Sequence, residues 1–196
     1  MYEEHLEIKA IRIVMLGDTA VGKTSIMNSF LDIEFSPVMT SNIGVDKNES
    51  KLTMKDGNEI KLIIWDTAGQ ERFHSIATST LKNSQGIVVA FDLTSRRTFE
   101  GVTKWLKDIK NINDRIPIIL FGNKCDLIEE REVKDEEVKA FAKSNKLQYL
   151  ETSAKEGINI TEGFKKIANE AYVHFGGANG VNLKNRKKKK KKGGFC

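Results

Sequence analysis

The stretch Ile11-Arg12-Ile13-Val14-Met15-Leu16-Gly17-Asp18-Thr19-Ala20-Val21-Gly22-Lys23-Thr24 decides the fold. Its first six residues form a short apolar run of strand length, and an apolar-periodic segment from about Lys23 to Leu31 reads as a helix. Between them, Gly17 to Thr24 follow the pattern G-x-x-x-x-G-K-T, whose meaning depends on this strand–loop–helix context. Gly17 and Gly22 permit a tight loop, so the backbone N–H groups of Asp18, Thr19, Ala20 and Val21, continued into Lys23, Thr24 and Ser25, can turn inward on an anion. The helix N-terminus adds positive partial charge. Lys23 can reach terminal phosphates, and the Thr24 hydroxyl is a hard oxygen donor suited to Mg²⁺.

Working outward, short apolar runs alternate with helical patterns. Lys51–Met54 and Ile60–Trp65 flank Lys55-Asp56-Gly57-Asn58, and Asp-Gly between alternating segments is a strong hairpin signal. Ile87–Phe91, Pro117–Phe121 and Leu147–Leu150 read as further strands. Helical stripes fall at Val102, Trp105, Leu106 and Ile109, at Val138, Phe141 and Ala142, and at Ile160, Phe164, Ile167, Ala168, Ala171 and Phe175. These stripes are expected to be core faces. The alternation predicts an α/β fold: a mainly parallel six-stranded sheet with one antiparallel edge strand and helices on both faces. Ligands on such sheets bind beyond the carboxyl ends of the strands.

The 196 residues amount to about 1.3 domains at roughly 150 residues each, and 39% hydrophobic content suffices for one core. The net charge of +5 is uneven: residues 176–196 hold eight basic residues and no acidic one, leaving 24 basic against 27 acidic residues, or −3, on residues 1–175. The basicity therefore belongs to a tail, and no nucleic-acid partner is expected for the body. Cys125 and Cys196 are too few and too unlike in setting for a disulfide framework. No run approaches the ~18 apolar residues of a membrane span, and the acidic Met1–His5 start precedes no signal-peptide core.

Three further motifs sit at predicted strand ends. Asp66-Thr67-Ala68-Gly69-Gln70 places an acid where Mg²⁺ can be held, usually through water. Gly69 lets a backbone N–H approach the last phosphate, and Gln70 can orient a water for in-line attack. In Asn123-Lys124-Cys125-Asp126, the Asp126 carboxylate can accept both guanine N–H donors, a pair that adenine does not offer. The Lys124 stem can cover the base, and Cys125 reads as a small buried spacer. Thr152-Ser153-Ala154-Lys155 can present N–H groups to the guanine O6.

These four motifs in this order resemble the Ras-superfamily small GTPases over about residues 9–175, and most of all the Rabs. Ile43-Gly44-Val45-Asp46, Lys61–Phe73 and Phe91-Asp92-Leu93-Thr94 carry the Rab likeness. The resemblance implies that Phe35 stacks on the guanine, that 32–46 is switch I and that roughly 66–82 is switch II. It also implies a GTP/GDP cycle with Mg²⁺ that recruits effectors to membranes in vesicle trafficking, served by an exchange factor, a GTPase-activating protein and escort or GDI-like proteins. Residues 1–8 would be an N-terminal extension, 9–175 the GTPase domain and 176–196 a disordered polybasic tail. A monomer on the cytoplasmic side of intracellular membranes, cycling with the cytosol, is expected.

Three departures from the family pattern touch the switches. Asn42 stands where a threonine normally ligates Mg²⁺ and binds the γ-phosphate; either Asn42 or a slipped Thr40 or Ser41 supplies the oxygen, or switch I closes weakly. Lys47 and Thr80 replace two aromatics that usually join a tryptophan, here Trp65, as an effector-binding triad. Leu81-Lys82-Asn83-Ser84 differs from the usual end of switch II. No arginine stands out as an internal finger, with Arg72 left open, so hydrolysis is expected to be slow and to gain from an arginine in trans. The same departures suit an alternative: a module that binds guanine nucleotide with impaired hydrolysis or switching, recognised in either state. An ATPase or kinase is disfavoured by Asp126 and Ser153-Ala154.

The tail lacks apolar periodicity and is expected to be disordered. Six consecutive lysines beside an anionic membrane contribute up to ~6 kcal/mol, at about 1 kcal/mol each. Cys196 is the last residue, so an ordinary C-a-a-X motif is absent; the resemblance implies geranylgeranylation there, and one lipid with a polybasic run meets the two-signal requirement for anchoring. The alternatives to this membrane reading are a solvated appendage with a free thiol and, in Lys184–Lys192, a nuclear import signal.

Overall fold

The computed structural model describes residues 10–33, 46–66 and 80–175, with backbone alone at 46 and 47. Along them run β1 (Ala10–Leu16), α1 (Lys23–Phe30), β2 (Asp46–Thr53), β3 (Glu59–Asp66), β4 (Gly86–Asp92), α2 (Arg96–Ile112), β5 (Ile118–Asn123), α3 (Asp135–Asn145), β6 (Gln148–Glu151) and α4 (Ile160–His174). The strands form one six-stranded sheet in the order β2-β3-β1-β4-β5-β6. Among the strands of the described residues only the β2–β3 pairing is antiparallel, so the predicted fold class holds.

Burial on both faces explains why the parallel strands read as continuous apolar runs. In β1, Ile13 and Met15 join a core layer with Ile26, Phe164 and Ile167 beneath α1 and α4. Val14 and Leu16 point the other way, into a layer with Val102, Leu106, Ile109 and Val138 beneath α2 and α3. The period of two thus feeds two cores from one strand. Phe164 anchors the first layer, its ring 4.5 Å from Phe30 and 5.9 Å, edge-on, from Phe121.

Two stripe positions, Trp105 and Phe141, pack against the second core layer while only partly buried, and a third, Phe175, misses the core. Trp105 is half-buried, because its indole N–H turns to a polar partner described below. Phe141 is half-buried too and packs edge-on against Phe99 at 5.3 Å. Phe175 is 42% exposed: α4 ends at His174, and the ring contacts that histidine instead of the core. The edge strand β2 begins at Asp46, five residues before the expected Lys51, because an edge strand with one neighbour tolerates the polar run Asp46–Ser50.

The β2–β3 hairpin turns through the anticipated Lys55–Asn58, closed by Gly57 N–H to Met54 O at 3.0 Å and Met54 N–H to Asn58 O at 2.8 Å. Its tip is fastened to α4: Asn58 Nδ2 donates to the Tyr172 hydroxyl at 3.1 Å, and the Lys55 N–H to Asn169 Oδ1 at 3.4 Å.

Candidate nucleotide site

Strands β1, β3, β4, β5 and β6 run parallel, so Leu16, Asp66, Asp92, Asn123 and Glu151 all end at one edge of the sheet. β1 pairs with β3 on one side and β4 on the other, so the chain order reverses there and opens a crevice.

The phosphate loop occupies that crevice. Gly17 has φ +142, and a Cβ there would lie 2.1 Å from the Ala90 carbonyl oxygen; Gly22 has φ +96, and a Cβ would lie 2.4 Å from Asn123 Nδ2. Both positions require glycine by conformation and by close approach. Gly22 also caps α1, whose first turn carries no acidic side chain to compete for its N-terminal dipole. Lys23 is buried, and its ammonium donates to the Gly17 and Asp18 carbonyls at 2.8 Å each. These two carbonyls hold the cation within the loop. Val21 is fully buried, Thr24 and Ser25 are half-buried, and Thr19 and Ala20 are exposed.

Thr24 Oγ1 donates to Asp66 Oδ2 at 2.5 Å, and Asp66 is 1% exposed. Among the described residues no cluster of three or more His, Cys, Asp or Glu side chains is placed to hold a metal. A hydroxyl and a carboxylate within hydrogen-bond distance, beside a phosphate loop, fit Mg²⁺, which typically takes one or two protein oxygens and fills its octahedron with phosphate oxygens and water.

The base side is tied to the phosphate side through Asn123. Its Nδ2 donates to the Val21 carbonyl at 2.9 Å, and its Oδ1 accepts from the Ala154 N–H at 3.2 Å and from Thr152 Oγ1 at 3.4 Å. Cys125 N–H to Thr152 O (3.0 Å) and Thr152 N–H to Gly122 O (2.8 Å) join the two base loops directly. Ser153 and Ala154 are buried, Lys155 is exposed and Asp126 is half-exposed. Cys125 is half-buried, a correction to the buried spacer expected; what burial it has pushes the thiol up from its ordinary value, and the Glu151 and Asp126 charges add to this.

Three partners were not legible in the motifs. Lys124, at φ +65, pairs its ammonium with Asp92 Oδ2 at 2.6 Å, and Asp92 Oδ1 accepts from the Thr94 N–H and hydroxyl at 2.8 and 2.7 Å. Trp105 Nε1 donates to Asp18 Oδ1 at 2.9 Å, holding the loop's carboxylate against α2. Arg131 grips Glu151 with both ends of its guanidinium, at 2.8 and 2.7 Å. Phe35, Thr40, Asn42, Gly69, Gln70 and Cys196 lie outside the described residues, as do residues 1–9 and the tail from 176.

The Ras family profile matches residues 12–173. The chain belongs to the Ras family. Similar relatives include the Ras-related protein Rab11A of Lotus japonicus, 40% identical over 82% of this chain and 71% of that protein. The Ras-related protein Rab-13 of Rattus norvegicus is 35% identical over 85% of this chain and 82% of that protein. The chain is thus a Rab-like small GTPase: it binds GTP and GDP with Mg²⁺ and hydrolyses GTP to GDP and phosphate. No helix among the described residues is long and apolar enough to cross a membrane.

Proposed function

We propose that this Rab-like GTPase is a membrane-recruited switch in vesicle trafficking, with residues 9–175 as its GTPase domain, 1–8 as an extension and 176–196 as a polybasic anchor. The observation that supports its nucleotide-binding part is the convergence of Lys23, the Thr24–Asp66 pair and Asn123 at one sheet edge, and the likeness to Rab proteins supports the trafficking part. Gly17 to Ser25 wrap the phosphates, and the buried Lys23 ammonium offsets charge that builds on the transferring phosphoryl group. Thr24 and Asp66 hold Mg²⁺, Asp66 through water, with Asn42 or Thr40 completing the set; the bound ion supplies charge neutralisation. Gly69 approaches the last phosphate, and Gln70 orients the attacking water. Asp126 reads the guanine edge, Ser153, Ala154 and Lys155 its O6, while Phe35 and Lys124 flank the ring.

The tail, with geranylgeranylated Cys196, directs the protein to the cytoplasmic face of intracellular membranes. Exchange factor, activating protein, effectors and escort proteins are its partners, and the protein acts as a monomer. Single-turnover hydrolysis tests the catalytic part. Gln70→Leu should slow loss of bound GTP by about a hundredfold, within the range that general-base positioning contributes, and unchanged turnover would refute the role of Gln70. Membrane pelleting of the prenylated full chain against Cys196→Ser tests the anchor, and equal partition would refute it.

One observation favours the alternative, a module whose partners ignore the nucleotide. The β2–β3 register pairs position 47, a lysine where the resemblance implies an aromatic, with Trp65 of the neighbouring strand. Partner affinity that is equal in GDP and GTP-analogue forms would support it.

A further inference from the structure

The pair Arg131–Glu151 stands outside every motif, yet each member adjoins a base loop. Glu151 is the last residue of β6 and directly precedes Thr152-Ser153-Ala154-Lys155. Arg131 lies five residues past Asp126, at the end of a chain of turns: Leu127 N–H to Lys124 O (3.1 Å), Ile128 N–H to Asp126 O (3.1 Å) and Arg131 N–H to Ile128 O (3.3 Å). Just beyond, the Glu132 and Val133 N–H groups are pinned to Leu93 O at 3.0 and 3.1 Å.

The grip on Glu151 has the two-pronged geometry that fixes orientation as well as distance. Side-chain exposure is 23% for Arg131 and 28% for Glu151, so the pair is partly shielded from water. Glu151 is fixed from other directions as well: the Tyr149 hydroxyl donates to its Oε1 at 3.1 Å, and Asn159 Nδ2 donates to its carbonyl at 2.8 Å. The Glu151 bond holds the guanidinium's proton above its ordinary value, and burial raises the Tyr149 phenol, so both remain donors.

We propose that Arg131 and Glu151 are positioning residues for guanine recognition, holding the Asp126 loop and the Ser153–Lys155 loop at the separation one base edge requires. This rests on the assignment of those loops to the base. Asp126 makes two bonds to guanine only if its carboxylate is held in register with the N–H groups that meet O6. Backbone bonds fix the inner edges of the two loops, through Cys125 and Thr152. The Arg131–Glu151 pair fixes the outer flank. Without it, the segment from Asp126 to Arg131 keeps its own turns and the anchoring of the residue that follows, Glu132, to Leu93 and Arg96.

The test measures release of GDP and of IDP, which lacks the 2-amino group, from the full chain with Mg²⁺. Arg131→Ala and Glu151→Gln should each speed GDP release by about tenfold, the scale of one lost charge-assisted hydrogen bond. IDP release should change less, so the preference for GDP over IDP narrows. The exchanged pair Arg131→Glu with Glu151→Arg should recover much of the preference. Faster release of both nucleotides with the preference intact would make the pair a general stabiliser and overturn the proposal, as would unchanged release. Should the alanine variant fail to fold, Arg131→Lys, which keeps the charge but loses the fork, is read by the same criterion. Asp126→Asn, assayed with GDP and XDP, tests the loop assignment separately. A swing towards XDP upholds the assignment whatever Arg131 does; no change in preference removes it, and the positioning role with it.

Discussion

Asn123→Ala is the perturbation whose cost follows most directly from the geometry. The side chain is 1% exposed and ties three segments together. Truncation leaves the Val21 carbonyl, which accepts from Asn123 Nδ2 at 2.9 Å, and the Ala154 N–H, which donates to Asn123 Oδ1 at 3.2 Å, without that partner. Each stranded buried group costs about 1–3 kcal/mol. The Thr152 hydroxyl contact at 3.4 Å is long and adds little. A total of about 3–4 kcal/mol follows, and at roughly 2–4 °C per kcal/mol for a domain of this size the melting temperature should fall by about 10 °C. Asn123→Asp sharpens the comparison. It keeps an acceptor for Ala154 but turns an oxygen on the Val21 carbonyl, so it should cost at least as much despite its equal volume. The assay is denaturant unfolding at several fixed GDP concentrations with Mg²⁺. Bound ligand adds RT ln(1 + [L]/Kd), so the concentration series separates intrinsic loss from weakened binding. An intrinsic loss below ~1 kcal/mol with an unchanged denaturant slope would refute the account, meaning that Asn123 does not join the two halves of the site.

Two further outcomes follow from single features. Gly17→Ala should abolish nucleotide binding in equilibrium dialysis, because its Cβ would meet the Ala90 carbonyl oxygen at 2.1 Å in a backbone conformation that already disfavours a side chain; retained affinity would show that the loop can move off β4. Tyr149, raised mainly by burial and further by the Glu151 charge, holds its proton more tightly folded than unfolded. Stability should therefore decline as pH rises above the ordinary phenol value of about 10, and decline less steeply in Tyr149→Phe when both are followed by urea unfolding.

The parts of the site that were legible in the sequence are those specified over a few residues. Gly17 and Gly22 are demanded by local backbone shape, and Lys23, Thr24, Asp66 and Asn123 stand at fixed offsets from strands whose two-sided burial makes them plain apolar runs. The missed contacts have another origin. Trp105 and Asp18 are 87 residues apart and Arg131 and Glu151 are 20 apart, so only the sheet order brings them together. Periodicity also counts a tryptophan as apolar, whereas at position 105 its single N–H decides where the ring goes. It counts Phe175 as the next step of a stripe because 3.6-residue spacing carries no information about where a helix stops. The polar first half of β2 escaped for a related reason: as an edge strand it needs a ladder on one side only, and its residues Asp46–Ser50 are polar throughout, with no apolar alternation to read.

The fastening of the β2–β3 hairpin to α4 bears on how this chain can be re-engineered. Asp56 and Gly57 lie on an exposed tip, the kind of site usually chosen for an inserted tag or a new terminus. The residues on either side, Lys55 and Asn58, are bonded to Asn169 and Tyr172, so an insertion there would loosen a connection spanning 114 residues of sequence. A deletion from the C-terminal side that reached Tyr172 would release the same tip from the opposite direction and leave an edge strand freer to pair with a neighbouring molecule. How much remodelling the hairpin tolerates is thus decided partly in the last helical turns of α4.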